Sequence, residues 1–431
     1  MTGTTFGVEE EYLLVSPETS LPTASAPEVL SVVRDLPPGA LAQQELLSSQ
    51  VEFATGVCRT ASELREQLRA GRRAVADAAG RVGVVPVAVG NPPLPGRVPV
   101  TQGSRYREIT SLYQGLMTDY QCCGCHVHVG VPDRATGVAV LDHLRPWLPT
   151  LLALSVNSPF DRGEDTGYGS WRAVRQSSFP GWGAPPLLRT VERHDRLVEA
   201  AVGTGALVDP TMTFWLARLS PKYPTVEVRA ADTSATAEGA VLQAVLTRAL
   251  VDTALAALER GEEATDHEPA VLAAALWSAA RHGAADRGVD PTTGRAVRAE
   301  TLVRALLNHV RPALGADAGW AAHLALHGRS GAALQRAASG EGAVGGGGAV
   351  GGGGAVGGDG AVGGDGAVGG DGAVGGDGAA SGDGAASGDG AAGEGGAKVA
   401  PGVMRAAGAT GAMGAAGAVR ALAEVFTAAG S

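Results

Sequence analysis

A chain of 431 residues, 45% of them hydrophobic and 18% charged, carries apolar material for one large domain or two ordinary ones. Its formal net charge of -10 argues against a general nucleic-acid or membrane binder. No charge-free run of about 18 apolar residues occurs, and the N terminus lacks the basic start and apolar stretch of a signal peptide, so a cytoplasmic location with no membrane or nucleic-acid partner is expected.

In 7–14, Glu9 and Glu11 alternate with Val8, Tyr12 and Leu14, the period-two pattern of a strand. A second strand over 50–55 sets Gln50 and Glu52 against Val51 and Phe53. Thr60 and Glu63 then form a capping box that opens a helix running to about Arg81. A third strand over 124–131 places His126 and His128 opposite Cys125, Val127, Val129 and Val131. A helix is expected over 138–156. A fourth strand over 225–230 opposes Glu227 and Arg229 to Val226 and Val228, and further helices are expected over 238–260, 269–282 and 298–310.

Composition changes abruptly after Ser339. Over 343–396 a six-residue unit repeats, first AVGGGG, then AVGGDG, then AASGDG. Such a segment buries little and is costly to order, so a disordered, solvated insertion is expected. A calcium-binding β-roll on Asp359, Asp365, Asp371 and Asp377 is the alternative, but those repeats have a period of nine and a larger apolar residue in each unit. Val419, Leu422, Val425 and Phe426 then follow helical spacing, so a helix over 415–429 should dock on the body. The expected organisation is a catalytic domain over 1–338, the insertion over 339–414 and a terminal helix over 415–431.

All four strands have one apolar and one ionisable face. If they share a sheet, its polar face collects Glu9, Glu11, Glu52, His126, His128, Glu227 and Arg229. An ordinary solvated face mixes Lys, Thr, Ser and Glu. This one is dominated by carboxylates and imidazoles, which are ligands for Mg²⁺ or Mn²⁺. Zinc on Cys122, Cys123, Cys125 and the histidines fits poorly, because alternation sends Cys123 and Cys125 to the opposite face from His126 and His128. These thiols and Cys58 read as buried small hydrophobes.

Six stretches in order carry a family resemblance: 6–15 (FGVEEEYLLV), 52–58 (EFATGVC), 125–131 (CHVHVGV), 153–160 (ALSVNSPF), 167–172 (GYGSWR) and 225–232 (TVEVRAAD). In these the chain resembles the carboxylate–amine ligases related to glutamate–cysteine ligase, of the second bacterial type. The resemblance implies an α+β fold, a glutamine-synthetase-like catalytic domain whose curved antiparallel sheet is backed by helices. Its polar face would hold ATP and two or three Mg²⁺ (or Mn²⁺) ions. Residue by residue it implies Glu9, Glu11, Glu45, Glu52, His126 and Glu227 as metal ligands, and Arg229 as the arginine that approaches the transferred phosphate. His128 lies beside the site. Arg172 and Arg175 are candidates for a substrate α-carboxylate, with surface loop arginines as the alternative.

The activity so implied joins a carboxylate, by resemblance glutamate, to an amine such as cysteine through an ATP-derived acyl phosphate. The partners are small molecules: ATP, an amino-acid carboxylate and an amine. A homo-oligomer is left open. Two rivals remain at this point: a phosphotransferase resembling guanidino kinases, and a non-catalytic metal or nucleotide binder. The chain departs from the family pattern at 173–182, at Pro224 where glycine is expected, and in the repeat, which leaves the amine unassigned.

Overall fold

Period-two segments become strands, and one of them organises the rest. The strands are β1 (Phe6–Val15), β2 (Leu41–Gln44), β3 (Gln50–Ala54), β4 (Val85–Val87), β5 (Gly124–Gly130), β6 (Ala217–Leu219) and β7 (Thr225–Asp232). They form one sheet in the order β2-β3-β1-β5-β7-β6, with β4 paired to the end of β1 at Leu13–Val15. Every pairing is antiparallel. This computed structural model describes residues 4–340 and 401–428, with side chains from 411 onward in the second stretch. The expected insertion over 341–400 lies outside the described residues.

The apolar face packs on helices. Helix α1 (Ala61–Val82) starts at the predicted capping box: Thr60 Oγ1 accepts from the Glu63 amide at 3.1 Å, and Glu63 Oε2 accepts from the Thr60 amide at 3.3 Å. It ends where Gly83 takes a left-handed φ of 79°. Gly71 on this helix lies against the Phe53 ring of β3; a Cβ there would come within 2.0 Å of Phe53 Cζ, so only glycine allows this approach.

Helices α2 (Ser104–Tyr113), α3 (Arg134–Leu144), α4 (Leu148–Ser155), α5 (Trp171–Gln176), α6 (Ala237–Glu259), α7 (Pro269–His282) and α8 (Ala299–Leu314) follow, with others between, among them Val191–Gly203. The core beneath the sheet gathers Val8, Tyr12, Val51, Phe53, Val127 and Val129 with Leu64, Leu68, Val245 and Leu246 of α1 and α6. Helix α6 is long and apolar enough to cross a membrane by length and composition, but 72% of its most apolar window is buried inside the fold, as befits a core helix.

Three expectations are corrected. The single helix over 138–156 is two, α3 and α4, joined by a tight turn at Arg145–Trp147. Pro146 and Pro149 lack the amide hydrogens a continuous helix needs. Helix α8 runs on to Leu314, with Pro312 in its last turn. The terminal helix, α9 (Pro401–Ala428), begins well before position 415, so 401–414 belong to it and not to the insertion. That stretch is mostly Gly and Ala and has too little apolar contrast to show a period, yet small residues let it pack closely. A Cβ on Gly411 would lie 2.8 Å from the Gly163 carbonyl oxygen.

One charged residue on the apolar face escaped the alternation argument. Glu10 points toward the helices and is fully buried with Arg72 of α1. Arg72 Nη2 and Nε donate to Glu10 at 2.6 and 3.1 Å, and Nη2 also donates to the Ser234 carbonyl at 2.8 Å. Tyr12 Oη donates to Glu10 at 2.7 Å. Phe426 of α9 stands edge-on to Tyr12, ring centroids 4.7 Å apart, with Arg72 5.3 Å from its centre.

Candidate active site

Register brings the acidic strands together. Glu11 lies opposite Glu52, and Glu52 opposite Gln43, which donates to it at 2.9 Å. Glu9 lies opposite His126, His128 opposite Glu227, and Glu227 opposite Arg218. Ligand atoms of Glu9, His126 and Glu227 all fall within 4.8 Å of one another. Glu11, Glu52, His126 and Glu227 are buried. Glu9, Glu11, Glu45, Glu52, His126, His128, Arg172, Glu227 and Arg229 all line one cavity of about 590 Å³.

The electrostatics divide these groups into two sets. Burial alone would raise the Glu9 and Glu227 carboxyls. The hydrogen bonds from His126 and His128 hold Glu9 far below the ordinary range, and Arg229 and Arg218 do the same for Glu227. Arg218 Nε and Nη2 donate to Glu227 at 2.8 and 3.1 Å, and Arg229 Nη1 donates to it as well. At Glu45 the pull of Arg229 is outweighed, and Glu52 accepts only from neutral Gln43. Burial, then Glu11, pushes Glu45 up to about 8; burial, then Glu9 and Glu45, pushes Glu52 up to about 9. His126 is lowered by burial and by Arg229.

The donor chemistry fits divalent cations of the Mg²⁺ type. One set, Glu9, His126 and Glu227, is already convergent, and a second, Glu11, Glu45 and Glu52, consists of crowded carboxylates that repel one another. All four cysteines are free and buried. His128 stands beside the first set, its Nδ1 3.0 Å from Thr225 Oγ1 and its Nε2 3.3 Å from Glu9 Oε1.

Arg172 and Arg175 part company. Arg172 is 2% exposed, lines the cavity, donates to the Arg229 carbonyl at 3.3 Å and lies 3.7 Å from Asp232. Gly124 makes room for it, since a Cβ there would come within 2.5 Å of Arg172 Nη2. Arg175 lies outside the cavity, donating to the Thr118 carbonyl at 3.1 Å and facing Asp161 at 3.8 Å. Three residues in contact with the predicted site residues were missed. Gln43 and Arg218 stand on strands of four and three residues, too short to show a period. Asp232 is fully buried and accepts from the Asn157 amide and the Ser158 and Ser170 hydroxyls at 2.7–2.9 Å. A β-bulge between β5 and β7 pairs Cys125 with Ala231 but Val127 with Val228. The extra residue reverses the alternation and turns Asp232 to the polar face.

A second cavity, about 620 Å³, opens at the Gly7 end of β1 and shares Glu9, Gln43, Glu52, His128, Lys222 and Tyr223 with the first. Its walls are glycine backbone at Gly7, Gly39, Gly56 and Gly130, with Leu41, Val57 and Pro224.

An antiparallel sheet backed by helices is the fold of glutamine-synthetase-like ligases. The fold matches a glutamate–cysteine ligase from Francisella tularensis in complex with AMP, at a TM-score of 0.61 and 12% identity over 79% of this chain and 86% of that one. It also matches a bifunctional glutathione synthetase from Pasteurella multocida, at a TM-score of 0.55 and 15% identity over 75% of this chain and 48% of that one. Residues 5–337 match glutamate–cysteine ligase family 2 (GCS2), and the chain belongs to that family. A relative in Saccharopolyspora erythraea, provisionally named glutamate–cysteine ligase 2-2, is 49% identical over 72% of this chain and 81% of its own length. One in Nocardia farcinica, provisionally named glutamate–cysteine ligase 2-1, is 44% identical over 73% and 82%. The chain is an ATP-dependent carboxylate–amine ligase.

Proposed function

We propose that the ligase activates the side-chain carboxylate of glutamate as an acyl phosphate and passes it to an amine within the first cavity. The observation that carries this reading is the sheet register, which sets the carboxylates, His126 and Arg229 on one face beside buried Arg172. Glu9, His126 and Glu227 would hold one divalent cation, and Glu11, Glu45 and Glu52 another. When bound, such ions neutralise the triphosphate and the incoming carboxylate, two anions that otherwise repel.

The chain's own residues do the rest. The glycine-walled second cavity takes the nucleotide base, because bare backbone lets a flat ring approach and Leu41, Val57 and Pro224 offer apolar contact. Pro224 is also a point of departure from the family pattern. The phosphates then point toward Glu9 and His128, where the cavities meet. Arg229 supplies a fixed positive charge for the transferred phosphoryl group. Arg172, steadied by Asp232, binds the α-carboxylate of glutamate. His128 orients Glu9 through the 3.3 Å contact.

Incubation with ATP, Mg²⁺, glutamate and hydroxylamine tests this. Hydroxylamine is small enough to reach the acyl phosphate whatever amine the cavity prefers. The expected result is glutamyl hydroxamate with stoichiometric ADP, dependent on glutamate. A stable phosphorylated product with glutamate alone would identify a phosphotransferase instead.

A further inference from the structure

Beyond its acidic floor the first cavity has an aromatic wall that the chemistry above does not use. Phe179 and Phe214 stack with centroids 4.8 Å apart; Tyr120 stands edge-on to Phe179 at 5.1 Å, and Tyr113 edge-on to both phenylalanines at 5.0 and 5.8 Å. Tyr106, Tyr120 and Phe214 are half-buried, keep part of their rings accessible and line the cavity. The wall is continuous with the acids: Leu46, next to Glu45, packs into the same cluster.

Charge is distributed unevenly along this cavity. Its inner end is rich in carboxylates. At the wall, the cation that lines the cavity is Arg105, and it is committed: Nε donates to Asp209 at 2.7 Å and Nη2 to Thr211 at 3.2 Å. Arg218 and Arg229 are held by Glu227, Arg172 is taken by the α-carboxylate of the donor glutamate, and Lys222 is shared with the second cavity, whose lining includes none of the wall aromatics. An amino-acid acceptor would bring a carboxylate to an aromatic surface with no uncommitted cation, and burying it there is costly. An amine carried on an aromatic ring matches both ends, its nitrogen reaching the acidic floor where the acyl phosphate forms and its ring against edge-to-face partners.

We infer that the acceptor is an arylalkylamine without a carboxylate, its nitrogen directed toward the acyl phosphate over the acidic floor and its ring seated on Tyr106, Tyr120 and Phe214. The inference rests on the ligase reading above. In the transfer step the ammonium first gives one proton to solvent, and the nitrogen lone pair so freed forms a C–N bond to the acyl carbon. The C–O bond to phosphate breaks, the phosphate leaves with that electron pair, and the surplus proton on nitrogen passes to solvent.

The test uses the full chain with Mg²⁺, ATP and glutamate, and compares kcat/KM for phenethylamine, phenylalanine, methylamine and cysteine, with hydroxylamine in parallel. Phenethylamine should exceed each of the other three amines by about tenfold or more. Hydroxamate formation with cysteine, methylamine or phenylalanine equal to or better than phenethylamine overturns the acceptor class and leaves the ligase reading standing. So does hydroxamate formation with no phenethylamide product. Absence of hydroxamate and of glutamate-dependent ADP with every amine overturns the ligase reading itself, and this inference with it.

Discussion

Glu52 shows what a carboxylate does when its neighbours carry the same charge. It is buried opposite Glu11, with Gln43 as its hydrogen-bond donor. Glu52→Gln keeps the volume and removes one charge. It is expected to weaken Mg²⁺ binding and cut turnover by about 100-fold or more, while melts in EDTA hold or rise because repulsion is relieved. Wild-type turnover with an unchanged Mg²⁺ requirement would remove Glu52 from the metal set. A related expectation concerns pH. Glu45 and Glu52 stay protonated in the folded, cation-free chain to a higher pH than in the unfolded one. The folded state therefore binds more protons between the ordinary carboxylate range and about 8–9. Stability in EDTA should fall as pH rises through that window, by up to about 1.4 kcal/mol per pH unit for each group. Urea titrations at pH 6 and pH 9 in EDTA measure the fall, which Glu52→Gln should reduce. The acids themselves were legible because strand alternation is a local property, visible wherever Glu9 and Glu11 or Glu227 and Arg229 sit two apart. Asp232 was not, because a bulge is decided by the partner strand.

At the scale of elements, a fully buried ion pair joins the sheet to its helices. Arg72 ties α1 to β1 through Glu10 and to the segment before α6 through the Ser234 carbonyl. Arg72→Met leaves a carboxylate buried without a cation and should cost about 3–5 kcal/mol. Adding Glu10→Gln, which keeps an acceptor for Tyr12, should recover at least half of that loss. Urea midpoints for the single and double variants decide it; an Arg72→Met cost below about 1 kcal/mol would mean that water reaches Glu10. This joint was not readable beforehand. Strand parity puts Glu10 on the face of Val8 and Tyr12, but only the folded helix shows that an arginine meets it there. Helix ends were legible where side chains mark them, as at Thr60 and Glu63. They were not where Ala and Gly carry no marker, as at the start of α9.

The whole molecule joins its two ends. Helix α9 lays Val419 and Leu422 on Leu13, Val15, Val87 and Val89, and Ala415 and Ala418 on Leu94 and Phe160. Deleting 342–396 should leave turnover and Tm nearly unchanged, since those residues are mostly Gly, Ala, Ser and Asp, and closure entropy varies weakly with loop length. Ending the chain at residue 400 should instead lower Tm sharply, because the strip on β1 and β4 loses its cover; thermal melts of both variants make the comparison. The contact between Tyr12 and Phe426 also sets a timetable. The two rings are 414 residues apart (426 − 12). At about 5–20 residues per second, a ribosome needs roughly 20–80 s between making one and making the other. Throughout that interval the nascent body carries a bare apolar strip beside its first strand, open to chaperones and to neighbouring chains until the final turn of helix emerges to cover it.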